Sequence, residues 1–249
     1  MITVAGAIQQ VLIGLGLSLA WKAGYSVTTD ERIALYDRMA SDLYVAVISD
    51  ILDSLGFRSQ VMIAAIRPID PVERRALVGR AHTVLMAPIY ELIDEPYTVQ
   101  IAAIDSIEPG DVGVEATGGI TGNAFWGELF SNAVLSRGGR GMVMDGYHRD
   151  TRKVLELGFP VFSTGARPYD LAGRAQAIDF GCPVECGGVL VNPGDVIFAE
   201  IDGIAVIPAA ALDDTVRLAF EKVAQEDRAR DELRSGALLS EVWNRYRVL

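Results

Sequence analysis

The chain has 249 residues, 50% of them hydrophobic, so it can bury a substantial core without help from disulfides. Its 33 acidic residues outnumber 22 basic ones, and the formal net charge of -11 repels phosphate backbones, which argues against general nucleic-acid binding. A small acidic metabolite is still a compatible ligand, provided that positive charge is concentrated locally.

The first stretch, "VAGAIQQVLIGLGLSLAW" from Val4 to Trp21, has no charged residue and about the length of a short membrane span or a secretory h-region. Ser18 and Ala20 suit a small-residue cleavage site, but no Lys or Arg precedes the stretch. It reads as a packed or interface helix or a mis-assigned start. Residues 1–28 are therefore an apolar extension to one domain over 29–249, expected in the cytoplasm with no membrane partner.

From Thr29 to Gly56, a capping residue, early acids and apolar positions at Leu43, Val47, Ile51 and Leu55 predict one amphipathic helical region. Extended segments are expected around 61–66 and 76–86, where β-branched and apolar residues dominate. "PGDVGVEAT" reads as a turn and a strand. The glycine-rich "TGGITGNAFWGELF" leads into a helical pattern at Leu129, Ala133 and Val134. Strand "GMVMD", a helix from about Arg149 to Leu157 and strand "PVFST" complete a β-α-β-α-β alternation. "GGVLVNPGDVIFAEIDGIAVIP" predicts two or three strands with Pro-Gly-Asp and Asp-Gly turns, and Ala209 to Ser235 a charged amphipathic helix. One mixed α/β domain flanked by terminal helices accounts for the pattern.

Two segments could carry chemistry. Gly127, Glu128, Leu129 and Phe130 open a helix, and unpaired amides at a helix N-terminus favour an anion such as a carboxylate or an enolate oxygen. In "DGYHRD", Asp145, Tyr147, His148, Arg149 and Asp150 lie between a strand and a helix, where ligands gather in alternating α/β folds. Arg149 offers a planar fork to a carboxylate and Asp150 offers oxygens to a hard cation. The plainer alternative is a loop with an acid at a helix start, and two aspartates that cap a helix while Arg149 pairs with one of them. Taken together, the segments suit Mg2+ or Mn2+ holding a 2-oxo acid, with Asp150, Glu128 and solvent as ligands.

Other chemistries fit less well. His82 and His148 are the only histidines, which disfavours a multi-histidine zinc site, and His82 reads as a packed histidine. There is no G-x-S-x-G, P-loop or G-x-G-x-x-G after a strand. Cys182 and Cys186, in "CPVEC", read as ordinary thiols.

Glu128, twenty intervening residues, then Arg149 and Asp150 resembles the D-x20-R-D signature of the class II pyruvate aldolases typified by 4-hydroxy-4-methyl-2-oxoglutarate aldolase. "WGELFSNAVLSRGGRGMVMDGYHRD", "PVFSTGARP" and the strand-rich segment after Gly187 resemble the wider RraA-like family, over roughly Asp30 to Leu249. That family also holds the ribonuclease E inhibitor and proteins labelled as demethylmenaquinone methyltransferases. The resemblance implies an α/β sandwich related to swivelling phosphohistidine domains, with flanking N- and C-terminal helices. It implies that Asp150 binds a divalent metal and that Glu128, where the aldolases have Asp, helps through water on the metal. Arg149 would contact the substrate and polarise its reacting oxygen, and amides near Leu129 and Phe130 would hold pyruvate oxygens. It further implies a homotrimer or hexamer with sites between subunits, and Glu226 as an acid supplied by a neighbour's C-terminal helix.

The expected activity is metal-dependent cleavage of a 4-hydroxy-2-oxo acid to pyruvate and a carbonyl compound, with oxaloacetate decarboxylation from the same enolate. Two departures bear on the substrate: Glu128 reaches one methylene further than Asp, and Lys153 stands where aldolases often carry a further acid. The alternatives are a non-catalytic regulatory oligomer and a lyase or hydratase acting on another oxo acid. A Schiff-base aldolase is disfavoured because, of Lys22, Lys153 and Lys222, only Lys153 is near the motif. Arg167, Tyr169, Asp170 and Arg174, in "ARPYDLAGR", either shape specificity or form a surface turn.

Overall fold

The computed structural model describes residues 28–248 apart from 71, 73 and 74, so the apolar stretch from Val4 to Trp21 lies outside the described residues. A capping box opens helix α1 (Thr29–Asp42): the Thr28 hydroxyl accepts from the Glu31 amide, and the Glu31 carboxylate accepts from the Thr28 amide. The helical region expected to run unbroken to Gly56 is two helices, because Leu43 and Tyr44 are extended between α1 and α2 (Val45–Ser54). No glycine or proline marks the break. It sends Leu43 into the core with Met39 and Val47, and the distant Glu200 carboxylate accepts from the Val45 amide at 2.8 Å, satisfying the new helix start.

The chain continues through β1 (Arg67–Pro68), β2 (Leu77–Pro88), α3 (Thr98–Asp105), β3 (Asp111–Ala116), β4 (Ala124–Trp126), α4 (Glu128–Ser136), β5 (Gly141–Met144), β6 (Tyr147–His148), α5 (Thr151–Leu157) and β7 (Val161–Ser163). It ends with β8 (Ala175–Phe180), β9 (Val184–Cys186), β10 (Val189–Val191), β11 (Val196–Glu200), β12 (Gly203–Ile207), α6 (Leu212–Arg234) and α7 (Leu239–Tyr246). Residues 61–66 do not form the expected strand. The Met62 amide donates to Ile204 and the Ile63 amide to Gly187, so the segment crosses between two elements and leaves one bridge, Val61 to Ala205.

The main sheet runs β1-β7-β5-β3-β2-β11-β12, with β8 also on β2. Strands β2, β3, β5 and β7 are parallel; β1, β8, β11 and β12 join antiparallel. Along one edge β2 pairs with β3; along the other it pairs with β11 through its first half and β8 through its second. Alternation along β11 and β12 divides their side chains between two cores. Phe198, Ala205 and Ile207 meet α1, α2 and α6, while Ile197, Ala199, Ile204 and Val206 join Val114 and Val143 on the other face.

The hairpin β9–β10 closes over this second core. Its two-residue turn, Gly187-Gly188, has φ of 56° and 79°, the left-handed geometry that a tight hairpin requires and glycine supplies without strain. A third core packs Trp126, Met142, Met144, Val154 and Phe159 beneath α3, α4 and α5. The result is a mixed α/β fold with flanking helices, as predicted.

Phe198 is fully buried where β11 meets the helical layer. Phe198→Ala is expected to cost about 3–5 kcal/mol of stability, read as a lower urea midpoint at unchanged m-value.

Candidate active site

Because β3, β5 and β7 are parallel, the loops that follow them leave at the same end of the sheet. Hydrogen bonds from backbone amides, one to a side chain and two to carbonyls, knit these three loops together. The Thr117 amide donates to Asp145 Oδ1 at 2.7 Å, the Thr164 amide to the Gly146 carbonyl at 3.0 Å and the Arg167 amide to the His148 carbonyl at 2.8 Å. Within them β4 and β6 pair in parallel, and His148 bridges to Ala166, which makes a small second layer over the strand ends. The helix expected to start at Arg149 starts at Thr151, because Tyr147 and His148 are taken up in this layer.

Asp150 is the conformational anomaly of the site. Its φ of 61° and ψ of 27° are left-handed, a region that side chains other than Asn and Asp rarely adopt, and Arg247 is the only other described non-glycine residue with positive φ. The strain turns its carboxylate back across Gly127, where Oδ2 accepts the Glu128 amide at 3.2 Å. A Cβ on Gly127 would meet that oxygen at 2.6 Å, so a side chain there would displace the Asp150 carboxylate. Asp150 thus begins α4 from outside the helix. The next two amides of that first turn, on Leu129 and Phe130, have no partner among the described residues. The Leu129 side chain is 77% exposed, so its contribution to a site is its amide. Phe130 packs on Trp126 and Tyr97 and anchors the turn.

The structure therefore brings together Gly127, Glu128, Leu129, Phe130, Arg149 and Asp150. Arg149 lies 3.4 Å from Asp170 and 4.0 Å from Asp150. Asp170 is held by the Tyr97 hydroxyl, which donates to it, and by the Leu171 amide. Burial and that carboxylate push the Tyr97 hydroxyl up to about 12, keeping it a donor. Tyr97 and Asp170 are site residues that the two motifs do not contain. Tyr97 follows Pro96 in a stretch with no chemical signature, so only folding reveals it.

Other candidates are structural. Asp145 spends both oxygens on the Thr117 and Gly187 amides. His148 is buried, with Nδ1 on Ser163 and Nε2 on Thr151, each at 2.8 Å, and burial holds its pKa below the usual histidine range. His82 meets Ser106 at 3.3 Å and is likewise lowered by burial. Lys153 pairs with Glu156 on α5. Glu226 lies on α6, where its one ion-pair partner among the described residues is Lys222 at 3.9 Å, and burial raises its pKa. Its own chain does not place it beside Asp150, and the expectation attached to it concerns a neighbouring subunit.

Beneath the strand ends lies a buried acid that neither motif contains. Glu115 is fully buried on β3, and burial pushes its carboxyl up to about 8, against a Gln100 hydrogen bond and with help from nearby Asp145. Gln100 donates to Glu115 Oε1 at 2.6 Å, leaving Glu115 Oε2 and Gln100 Oε1 without partners. A proton retained on Glu115 gives this side-chain pair the donor it lacks.

This is an α/β protein with two unpartnered amides at a helix start and acids at the carboxyl ends of parallel strands. Residues 45–206 match the model of the RraA-like (Aldolase/RraA) family, and the chain belongs to that family. It is 28% identical over 201 residues to Protein DlpA of Legionella pneumophila, 81% of this chain but 32% of that protein's length. It is 32% identical to a Halalkalibacterium halodurans protein named "Putative 4-hydroxy-4-methyl-2-oxoglutarate aldolase", over 74% of this chain and 81% of the other. Among solved structures, RraAS2 of Streptomyces coelicolor, described as an unusual member of the RNase ES inhibitor RraA protein family, superposes with a TM-score of 0.70 at 28% identity. That match covers 83% of this chain and 98% of RraAS2. No helix among the described residues is long and apolar enough to cross a membrane.

Two predictions follow from the geometry. Gly127→Ala is expected to displace the Asp150 carboxylate and cost about 1–2 kcal/mol by chemical denaturation; combined with Asp150→Ala, the loss is less than additive. Glu115, at about 8 when folded against the ordinary 4.5 of a glutamate, keeps a proton that the unfolded chain has lost between those pH values, so it lowers stability as pH rises through that window. Glu115→Gln is expected to flatten the fall by up to about 1.4 kcal/mol per pH unit, read from urea midpoints at pH 5 to 8.

Proposed function

We propose that this protein is a divalent-metal-dependent carbon–carbon lyase that cleaves a 4-hydroxy-2-oxo acid to pyruvate and a carbonyl compound. The observation that carries the reading is Asp150, held left-handed with its carboxylate against the first turn of α4 and its neighbour Arg149 beside it. The aldolase name of the relative at 32% identity supports the same class.

The donor set suits Mg2+ or Mn2+. No group of three or more potential ligating side chains exists among the described residues, which disfavours a protein-caged metal such as zinc. Mg2+ needs few protein oxygens and keeps several waters. Asp150 has one carboxylate oxygen beyond the Glu128 amide bond, and Glu128 has one beyond its bond from Asn132. These two residues would hold the ion. When bound, the cation supplies a Lewis acid for the 2-oxo group.

The protein's own groups account for the remaining demands. The Leu129 and Phe130 amides receive carboxylate or enolate oxygens, and the guanidinium of Arg149 polarises the oxygen that gains charge. A water activated by Glu128 takes the proton from the 4-hydroxyl. The C4 carbonyl forms, the C3–C4 bond breaks, its electron pair becomes the pyruvate enolate, and C3 is then protonated. Oxaloacetate fits the same path, with carbon dioxide leaving in place of the carbonyl compound.

A second reading, a non-catalytic regulatory oligomer, has support from the likeness to RraAS2. Asp150→Asn separates the two, since asparagine tolerates the left-handed backbone and keeps an oxygen for the Glu128 amide. With Mn2+ or Mg2+, oxaloacetate decarboxylation above the metal-only background is expected, abolished by EDTA and lowered at least about 100-fold by Asp150→Asn. Turnover that survives both would defeat the lyase reading at this site, and no turnover from folded, metal-loaded protein would favour the regulatory one.

A further inference from the structure

Resting on that reading of the site, we propose that Arg167 is a specificity residue that binds a second carboxylate of the substrate, at the end away from its 2-oxo acid group. Three guanidiniums crowd the mouth of the site, and their partners differ. Arg149 has Asp170 and Asp150. Arg174 donates to the carbonyls of Asp170 and Ala172. Arg167 has no acid or carbonyl for its guanidinium among the described residues; it lies 5.8 Å from the ring centroids of both Tyr147 and Tyr169.

Those rings hold the cation without consuming its donors. A guanidinium over an aromatic face keeps its in-plane N–H groups free, in the fork that matches a carboxylate. Its backbone is fixed as well, because the Arg167 amide donates to the His148 carbonyl and Ala166 bridges to His148 in parallel register. Arg149 and Arg167 directly follow the bridged pair His148 and Ala166, which places their backbones side by side.

Charge supports the same conclusion. In a chain of net charge -11, this mouth balances three arginines against Asp170, Asp150 and Glu128, and a cation held by Asp150 and Glu128 would make it positive. A ligand with one carboxylate engages Arg149 and the amides of α4 but leaves Arg167 unmatched. A dicarboxylic 2-oxo acid answers both arginines.

The test is calorimetric binding of 2-oxoglutarate and 2-oxobutyrate, which differ in a distal carboxylate, to the full chain with Mn2+, to Arg167→Gln and to Arg167→Lys. Wild type is expected to bind 2-oxoglutarate about tenfold more tightly. Arg167→Gln should lose that preference while binding 2-oxobutyrate within about threefold of wild type, and Arg167→Lys should retain part of it, as a point charge without the fork. If both ligands bind and Arg167→Gln keeps the preference, or weakens both equally, the assignment of Arg167 is wrong while the site reading stands. If wild type binds neither ligand, the 2-oxo acid site itself fails and takes this inference with it.

Discussion

The parallel pairing of β3, β5 and β7 is the constraint on which the rest of the molecule depends. It sends three loops out of one end of the sheet, where their backbones have to satisfy one another. The bonds from Thr117 to Asp145, Thr164 to Gly146 and Arg167 to His148 are that solution. They leave the chain no room for a regular helix start after His148, and Asp150 takes up the turn in a left-handed conformation. Its carboxylate then serves α4, a helix it does not belong to. Gly127 permits this by presenting no side chain.

Charge is arranged by depth. At the surface of the site Arg149, Asp170 and Tyr97 hold one another, so the guanidinium is oriented before any ligand arrives. Below them, burial in the sheet raises the Glu115 carboxyl to about 8 and so favours its neutral form beneath these loops. Burial likewise lowers the pKa of His148, which acts as a strut between β7 and α5.

Much of this was legible in the residues. The capped, acid-rich helix start near Thr29, the Asp-Gly turn between β11 and β12, and the alternation that placed a glycine-rich loop before α4 all express local rules. The pairing of Glu128 with Arg149 and Asp150 across twenty residues came from family resemblance, and folding shows why the spacing holds: Asp150 touches the Glu128 amide. The break at Leu43 was not legible, since the carboxylate that stabilises the start of α2 comes from Glu200, 155 positions away. Tyr97 was hidden for the same reason, as it belongs to no local pattern that signals chemistry, whereas its partner Asp170 was marked only as a residue of specificity or of a surface turn.

The sequence by itself determined the mixed α/β class, the order of most elements, the two strand-end segments and the net negative charge. These depend on periodicity, turn chemistry and net charge, which are properties of neighbouring residues or of the whole composition. Only the tertiary structure decided which acids remain free to bind and which are spent: Asp145 on two amides, His148 on two hydroxyls, Asp170 on Arg149 and Tyr97. The physical reason is that a polar side chain's role is set by the groups that satisfy it, and here those groups arrive from strands and loops far away in sequence.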